Sequence, residues 1–363
     1  MIRKLLAVLG LVLLAGMAYL AFAPVPISPL AWEAPANPGY TGVHATNSEL
    51  SDLTLLDMGE EGPEDIALRD GLIYASSQSG KILTYDLATD TLREFADTGG
   101  IPLGIEFDAD GNLLVADAAM GLVRIDRDGK AEVLLDEVDG LPVLYADDVD
   151  IGPTGMIYFT DASTKFGAIA SGGTMEGSLL EIMEHGSTGR VIAYDPESDT
   201  AAVVAENLSF PNGIAMGPNE DLLVNITGEY VTLSIPLDGG SSRIFAGPYP
   251  GFPDNINPGP DTEGGPTYIV GLVSPRAKAL DDLAARPSLR KVVQRLPAAA
   301  RPKATAHTHI LLLDAKGRVT HDLQDPAGGY AQATGGVIHN GQLYISSLTE
   351  KSIATRAAPH PFD

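Results

Sequence analysis

Cysteine is absent from the 363-residue chain. Disulfides, a thiolate nucleophile, iron–sulfur clusters and cysteine-ligated zinc are therefore excluded from its chemistry. Positive charge is scarce: 23 Lys and Arg face 48 Asp and Glu, a formal net charge of −25. A nucleic-acid binder needs a basic footprint, so DNA and RNA are excluded as partners. Histidine is thin too, at seven residues. His307 and His309 alternate on one strand face and His339 adjoins the hairpin signal Asn340-Gly341. None falls at a repeated position, so structural or surface roles are expected of them. What remains, 44% hydrophobic and 20% charged residues, is the composition of a globular protein.

Long apolar runs are also missing, with one exception. Leu5–Ala23 carries no charge and follows Arg3-Lys4. Its length fits a membrane span. A cleavable signal would use Ala21-Phe22-Ala23 as its Ala-x-Ala site, but the run is long for a signal core, which favours an uncleaved anchor. The basic start keeps the N-terminus cytosolic and places the rest on the far side, in a periplasmic, luminal or extracellular space. Five prolines between Pro24 and Pro38 read as a stiff linker.

Past the linker the chain repeats itself. Pro63-Glu64-Asp65-Ile66 recurs as Pro102-Leu103-Gly104-Ile105, Ala146-Asp147-Asp148-Val149, Pro211-Asn212-Gly213-Ile214, Pro253-Asp254-Asn255-Ile256 and, most weakly, Thr334-Gly335-Gly336-Val337. Each copy is followed by short strand-like runs such as Leu72–Ala75, Leu83–Asp86 and Leu92–Phe95, separated by turn signals such as Asp70-Gly71. Strands in fours at a recurring period predict an all-β, six-bladed β-propeller with short helical insertions and an N-terminal membrane helix. The last copy has three strands before the C-terminus, so Leu53–Leu56 is expected to supply its fourth and close the ring. The expected layout is an anchor or signal at 1–23, a linker at 24–44 and the propeller at 45–363. Insertions occupy about 165–187 and 275–303, the second holding two short helices around Pro287. Its Arg290, Lys291 and Arg295 either pack on the propeller or face a membrane surface.

Residues at one place in successive blades converge on the central channel. Glu64, Asp147, Asn212 and Asp254 share such a place. Carboxylate and amide oxygens without thiolate or clustered imidazole favour a hard cation, calcium first; the alternative is that these residues cap turns. A calcium there can polarise a lactone or ester carbonyl and stabilise the developing oxyanion. Asp254 then either deprotonates a water or acts as a ligand only.

Asp147–Asp150 leading into Ile157–Ser163, with Gly186–Arg190, Phe210–Ala215 and Gly251–Ile256, resembles the strictosidine-synthase-like family. The Leu280-Asp281 to Arg290-Lys291 insertion resembles its adipocyte plasma-membrane-associated branch. The resemblance spans nearly everything after about residue 50. It implies a six-bladed propeller similar to the gluconolactonase and paraoxonase groups. It further implies a central calcium held by Glu64, Asp147, Asn212, Asp254 and Asn255, with an acid at 147 where those hydrolases have an amide. A second, structural calcium is implied at Asp65, Asp148 and the backbone carbonyl of Ile105. Two departures limit the chemistry. Leu103 stands where paraoxonases carry a catalytic histidine, and Ala333-Thr334-Gly335-Gly336 stands where strictosidine synthases carry a catalytic glutamate, which argues against alkaloid condensation. Two function classes follow: a calcium-dependent hydrolase of small-molecule lactones or esters, and a non-catalytic propeller that binds a ligand or partner. Asn207-Leu208-Ser209 and Asn225-Ile226-Thr227 are sequons, relevant only in a eukaryotic secretory route.

Overall fold

Each repeat folds into a four-stranded antiparallel sheet, because short apolar runs joined by Gly-containing turns have no means of burying both faces except against the next copy. At Asp70-Gly71 and Asn340-Gly341 both residues take positive φ, the geometry of tight hairpins. The computed structural model describes residues 2–362. Among them, six four-stranded sheets form the blades. The first strands of the blades are Ile66–Arg69, Pro102–Phe107, Ala146–Ile151, Pro211–Met216, Gly251–Thr262 and Ala333–His339. They contact one another in a closed ring. The core is distributed around that ring, one apolar cluster per blade interface. Ile82 and Val115 meet between blades 1 and 2, and Phe159 and Leu114 between 2 and 3. Leu312 and Ile345 meet between 5 and 6, and Tyr344 and Ile73 between 6 and 1. The molecule is a six-bladed β-propeller.

Closure occurs where the repeats place it, one residue later than expected. Thr54–Asp57 pairs with the last strand, Ser352–Ala357, from Thr54 opposite Thr355 to Asp57 opposite Ser352. The first strand of the propeller thus becomes the outermost strand of its last blade and joins the two ends of the chain.

Helix α1 (Ile2–Phe22) is the apolar run; its mean hydropathy is 2.5 and none of its residues is buried. The two insertions both leave between the second and third strands of a blade, so both emerge at the end of the ring where the first strands begin. Blade 3 gives α2 (Ala168–Ser171) and α3 (Thr174–Glu184). Blade 5 gives α4 (Lys278–Asp282) and α5 (Pro287–Arg295). Pro287 starts α5, where its missing N–H costs nothing. Together these helices roof one mouth of the channel.

The proline-rich stretch does not stand clear as a spacer would. It runs along the roof as a strap: Leu30 N–H donates to the Glu184 carbonyl at 3.0 Å and Trp32 N–H to Ala284 at 3.2 Å. Trp32 stacks on His185 with ring centroids 3.9 Å apart. Arg290 is fully buried and donates to the carbonyls of Met183, Glu184, Leu30 and Ala284. It faces neither water nor membrane. Its guanidinium ties α3, the turn after α4 and the strap into one layer.

Candidate functional site

In five blades the first strand starts with a bulge. Its paired residues skip from Pro102 to Ile105, Ala146 to Val149, Pro211 to Ile214, Pro253 to Ile256 and Ala333 to Gly336. A bulge inserts an unpaired residue and re-aims its side chain, here toward the channel. The two skipped residues are Leu103-Gly104, Asp147-Asp148, Asn212-Gly213, Asp254-Asn255 and Thr334-Gly335, matching Glu64-Asp65 before the first strand of blade 1. The sixth copy therefore aligns one residue earlier than its sequence suggests, and Thr334 holds the place of Glu64. Its hydroxyl donates to the Glu64 carbonyl at 2.6 Å.

The second residue of each pair alternates large polar with glycine around the ring: Asp65, Gly104, Asp148, Gly213, Asn255, Gly335. The spacing is steric. A Cβ on Gly104 would lie 2.1 Å from Asp148 Oδ1, and one on Gly213 would lie 2.6 Å from the Asn255 Cα. The polar members pin neighbouring blades together. Asp65 Oδ2 accepts the Ile105 N–H at 3.0 Å, and Asp148 Oδ2 accepts the Ile214 N–H at 2.8 Å. Asn255 of blade 5 reaches past blade 6, donating its amide to the Glu64 carbonyl of blade 1 at 3.0 Å.

The first residues make the site. Glu64, Leu103, Asp147, Asn212 and Asp254 line one cavity of about 760 Å³, a volume typical of small-molecule sites. Tyr145, Phe210 and Phe252 form its apolar wall, and Met175, Leu179 and Met183 of α3 with Leu280 and Val293 roof it. The four polar members are all at most 6% exposed. Burial, then the charges of Asp254, Asp65, Asp147 and Asp148, pushes the Glu64 carboxyl well above its usual range. Asp147 is pushed up by burial and by Asp254. Asp254 is pushed up to about 7, mainly by burial, against a hydrogen bond from Asn212. Among the described residues no Lys or Arg acts on these three acids.

Glu64 Oε2, Asp147 Oδ2, Asn212 Oδ1 and Asn255 Oδ1 are buried with no hydrogen-bond partner. Buried polar atoms are rarely left unpaired, and each orphan costs about 1–3 kcal/mol. Four such oxygens from four blades, in an acidic cluster without a counter-charge, fit a hard divalent cation. The residues implied for a second ion differ. Asp65 and Asp148 are buried beside each other, but their oxygens already accept backbone N–H bonds. The Ile105 group that meets Asp65 is its N–H.

Sequence reasoning missed several supporting residues. Asn225 is fully buried, and its amide donates to the carbonyls of Asp254 at 2.7 Å and Asn255 at 3.2 Å, so the second sequon is a structural prop and no glycan acceptor. Thr227 donates to the Pro253 carbonyl and Thr160 to that of Asn212. A polar residue next to last in the second strand of each of these blades, Thr160 and Asn225, was the available signal. The histidines stay out of the cavity lining. His44 and His309 instead clamp Asp322, at 2.6 and 3.0 Å, tying the N-terminal segment to blade 5.

Comparison with known sequences places these features in a family. The family described as strictosidine synthase matches residues 147–231, and strictosidine synthase-like, N-terminal, matches residues 42–85. Protein strictosidine synthase-like 6 of Arabidopsis thaliana is 30% identical over 317 residues, covering 85% of this chain and 81% of that protein. The chain belongs to the strictosidine synthase-like family. The human adipocyte plasma membrane-associated protein is 29% identical to this strictosidine synthase-like chain, over 95% of it and 86% of the human protein. Solved structures share its fold. A gluconolactonase from Xanthomonas campestris superposes with a TM-score of 0.59 at 18% identity, covering 92% of this chain and 98% of that one. Regucalcin from Agrobacterium tumefaciens, described as calcium-binding, gives 0.56 at 13% identity, covering 83% and 92%. At these identities the likeness is one of fold.

Proposed function

We propose that this strictosidine synthase-like propeller is a calcium-dependent hydrolase of lactones or esters, held outside the cytosol by α1 as an uncleaved anchor. The observation that supports it is the set of four unpartnered oxygens beneath an apolar roof. Glu64, Asp147, Asn212, Asp254 and Asn255 would hold the ion. When bound, calcium supplies polarisation of the substrate carbonyl and stabilisation of the oxyanion that forms from it. The chain does the rest. Leu103 occupies the second-blade position and no histidine lines the cavity among the described residues, so a carboxylate must take the proton of the attacking water. Asp254 is the residue for that role: Asn212 steadies its side chain, and Asn225 fixes its backbone. The roof excludes bulk water and offers apolar surface to the rest of the substrate. Fold-level likeness to a gluconolactonase and to a calcium-binding regucalcin supports the same reading. The proposal does not extend to a second ion at Asp65, Asp148 and the Ile105 carbonyl: those carboxylate oxygens already accept hydrogen bonds, and Ile105 turns its N–H to Asp65.

The competing reading, a ligand-binding propeller without catalysis, is favoured by Leu103 and Thr334, which leave two blade positions without ionisable groups. A panel of lactones and aryl esters assayed with calcium and with chelator separates the two. Turnover that needs calcium and disappears in Asp254→Ala, with the fold retained, supports the hydrolase. Calcium binding without turnover of any member would make the ion a structural pin. Titration should count one ion; a count of two would restore the second site.

A further inference from the structure

The roof and the membrane helix are joined, and this fixes which way the cavity opens. Arg295, the last residue of α5, donates to the Ala23 carbonyl at 2.5 Å and the Leu20 carbonyl at 2.8 Å, capping the C-terminal end of α1. Helix α1 is 21 residues long, enough at about 1.5 Å per residue to cross the hydrocarbon core. Pro26, three residues past Ala23, already lines the cavity; at about 3.5 Å per residue, the two lie within roughly 11 Å. The mouth of the site therefore sits at the level where the chain leaves the bilayer.

The surface around that junction differs from the rest of the protein. In a chain of net charge −25, residues 283–313 contain no acid and six bases: Arg286, Arg290, Lys291, Arg295, Arg301 and Lys303. Arg290 is spent inside the roof. Arg286 and Lys303 are exposed, and Lys291, Arg295 and Arg301 are half-buried. On α4, Asp282 pairs with Lys278 and Asp281 with Arg276, and on α3 Glu181 and Glu184 are buried, leaving Glu176 as its one exposed acid. Apolar side chains stand outward on the same layer: Leu289 and Leu179, each 43% exposed, and Ile169 at 68%. Basic and apolar groups on one face, next to a membrane span, match the interface of a bilayer bearing anionic lipids.

We infer that the roof of this propeller rests on an anionic membrane surface and that the cavity takes amphiphilic lactones or esters directly from it. The inference rests on the anchor and hydrolase readings above. The water-facing end of the ring then carries the acidic surface, and the apolar roof gives an alkyl chain a path from lipid to site.

The absence of cysteine permits single labels in the intact chain. The full-length protein is reconstituted in vesicles of phosphatidylcholine with phosphatidylglycerol, and bimane is attached at Leu289→Cys or, as the far-end control, Asn340→Cys. Nitroxide-bearing lipid should quench the label at 289 and leave that at 340 bright. Arg286→Glu with Lys291→Glu, which lie outside the cavity lining, should lower the quenching at 289 to its level in phosphatidylcholine alone. The same pair should leave turnover of a short, water-soluble lactone unchanged and slow that of a long-chain lactone dissolved in the vesicles severalfold. Equal quenching at 289 and 340 in an anchored protein overturns the inference while leaving the anchor. A mature chain that begins near Pro24 and does not float with vesicles overturns both. Quenching at 289 without turnover of any lactone or ester keeps the membrane-resting roof, removes the substrate half of the inference and sinks the hydrolase reading.

Discussion

Replacing Asp254 by asparagine should stabilise the metal-free protein, and this is the sharpest test of the site. The Asp254 carboxyl has an ordinary value of 3.8 and is pushed up to about 7 in the folded chain. A carboxyl whose folded value is raised binds its proton more tightly in the native state. Folding is therefore unpenalised below the unfolded value, and stability falls as pH rises from about 4 to about 7. The difference is roughly three pH units, on the order of 4 kcal/mol above pH 7. Asparagine keeps the shape and has no charge to bury, so the variant should recover that amount in chelator at pH 8 and almost none of it at pH 4. At about 0.65 kcal/mol per kelvin for a ring of this size, the melting temperature should rise by roughly 6 °C at pH 8. Calcium should narrow the gap. At a hundredfold excess over its dissociation constant, it adds about 2.7 kcal/mol to the unmodified protein, roughly 4 °C, and less to the variant. The assay is differential scanning fluorimetry of the full chain in detergent, at both pH values, with calcium and with chelator. If Asp254→Asn melts lower in chelator at pH 8 and calcium shifts neither protein, Asp254 caps a turn and the metal reasoning is wrong.

Arg290→Met should release the strap from the roof. It removes four bonds and leaves the Met183 and Leu30 carbonyls without a donor, while those of Glu184 and Ala284 keep the N–H of Leu30 and Trp32, a loss on the order of 3 kcal/mol; limited proteolysis between residues 24 and 40 should accelerate while the blades resist. Gly104→Ala should destabilise by about 1–3 kcal/mol in urea unfolding, because its Cβ would lie 2.6 Å from the Asp148 Cα, whereas Gly71→Ala, although strained in its backbone, meets no atom within 4 Å and should leave the Asp65–Ile105 link intact in hydrogen exchange.

The blades and most of the site were legible because both are periodic. One interval encodes a sheet, and one position within it encodes a channel-facing side chain, so Glu64, Asp147, Asn212 and Asp254 could be placed on a common axis before any contact was known. The sixth copy slipped by one residue because Gly335-Gly336 gives no side chain from which to read a bulge. Contacts without a period were not legible. Arg290 has the sequence environment of an exposed cation on an amphipathic helix. Only the meeting of three chain segments, around residues 30, 184 and 284, supplies the carbonyls that hold it inside. Asn225 was obscured by a motif whose recognition requires exposure that its place in the second strand of blade 4 denies.

The seam of blade 6 has a consequence for how the protein comes into being. Thr54 and Thr355 pair across about 300 residues of intervening chain, so the strand made first must wait for the strand made last. In the anchored, exported form proposed above, Thr54–Asp57 stays an unpaired strand tethered near the membrane until translation and export are finished. Ring closure is then a search between two chain ends, and tethering one of them shortens it. A destabilising change at the seam should therefore appear first as poor yield in the exported fraction, before any loss is visible in the purified protein.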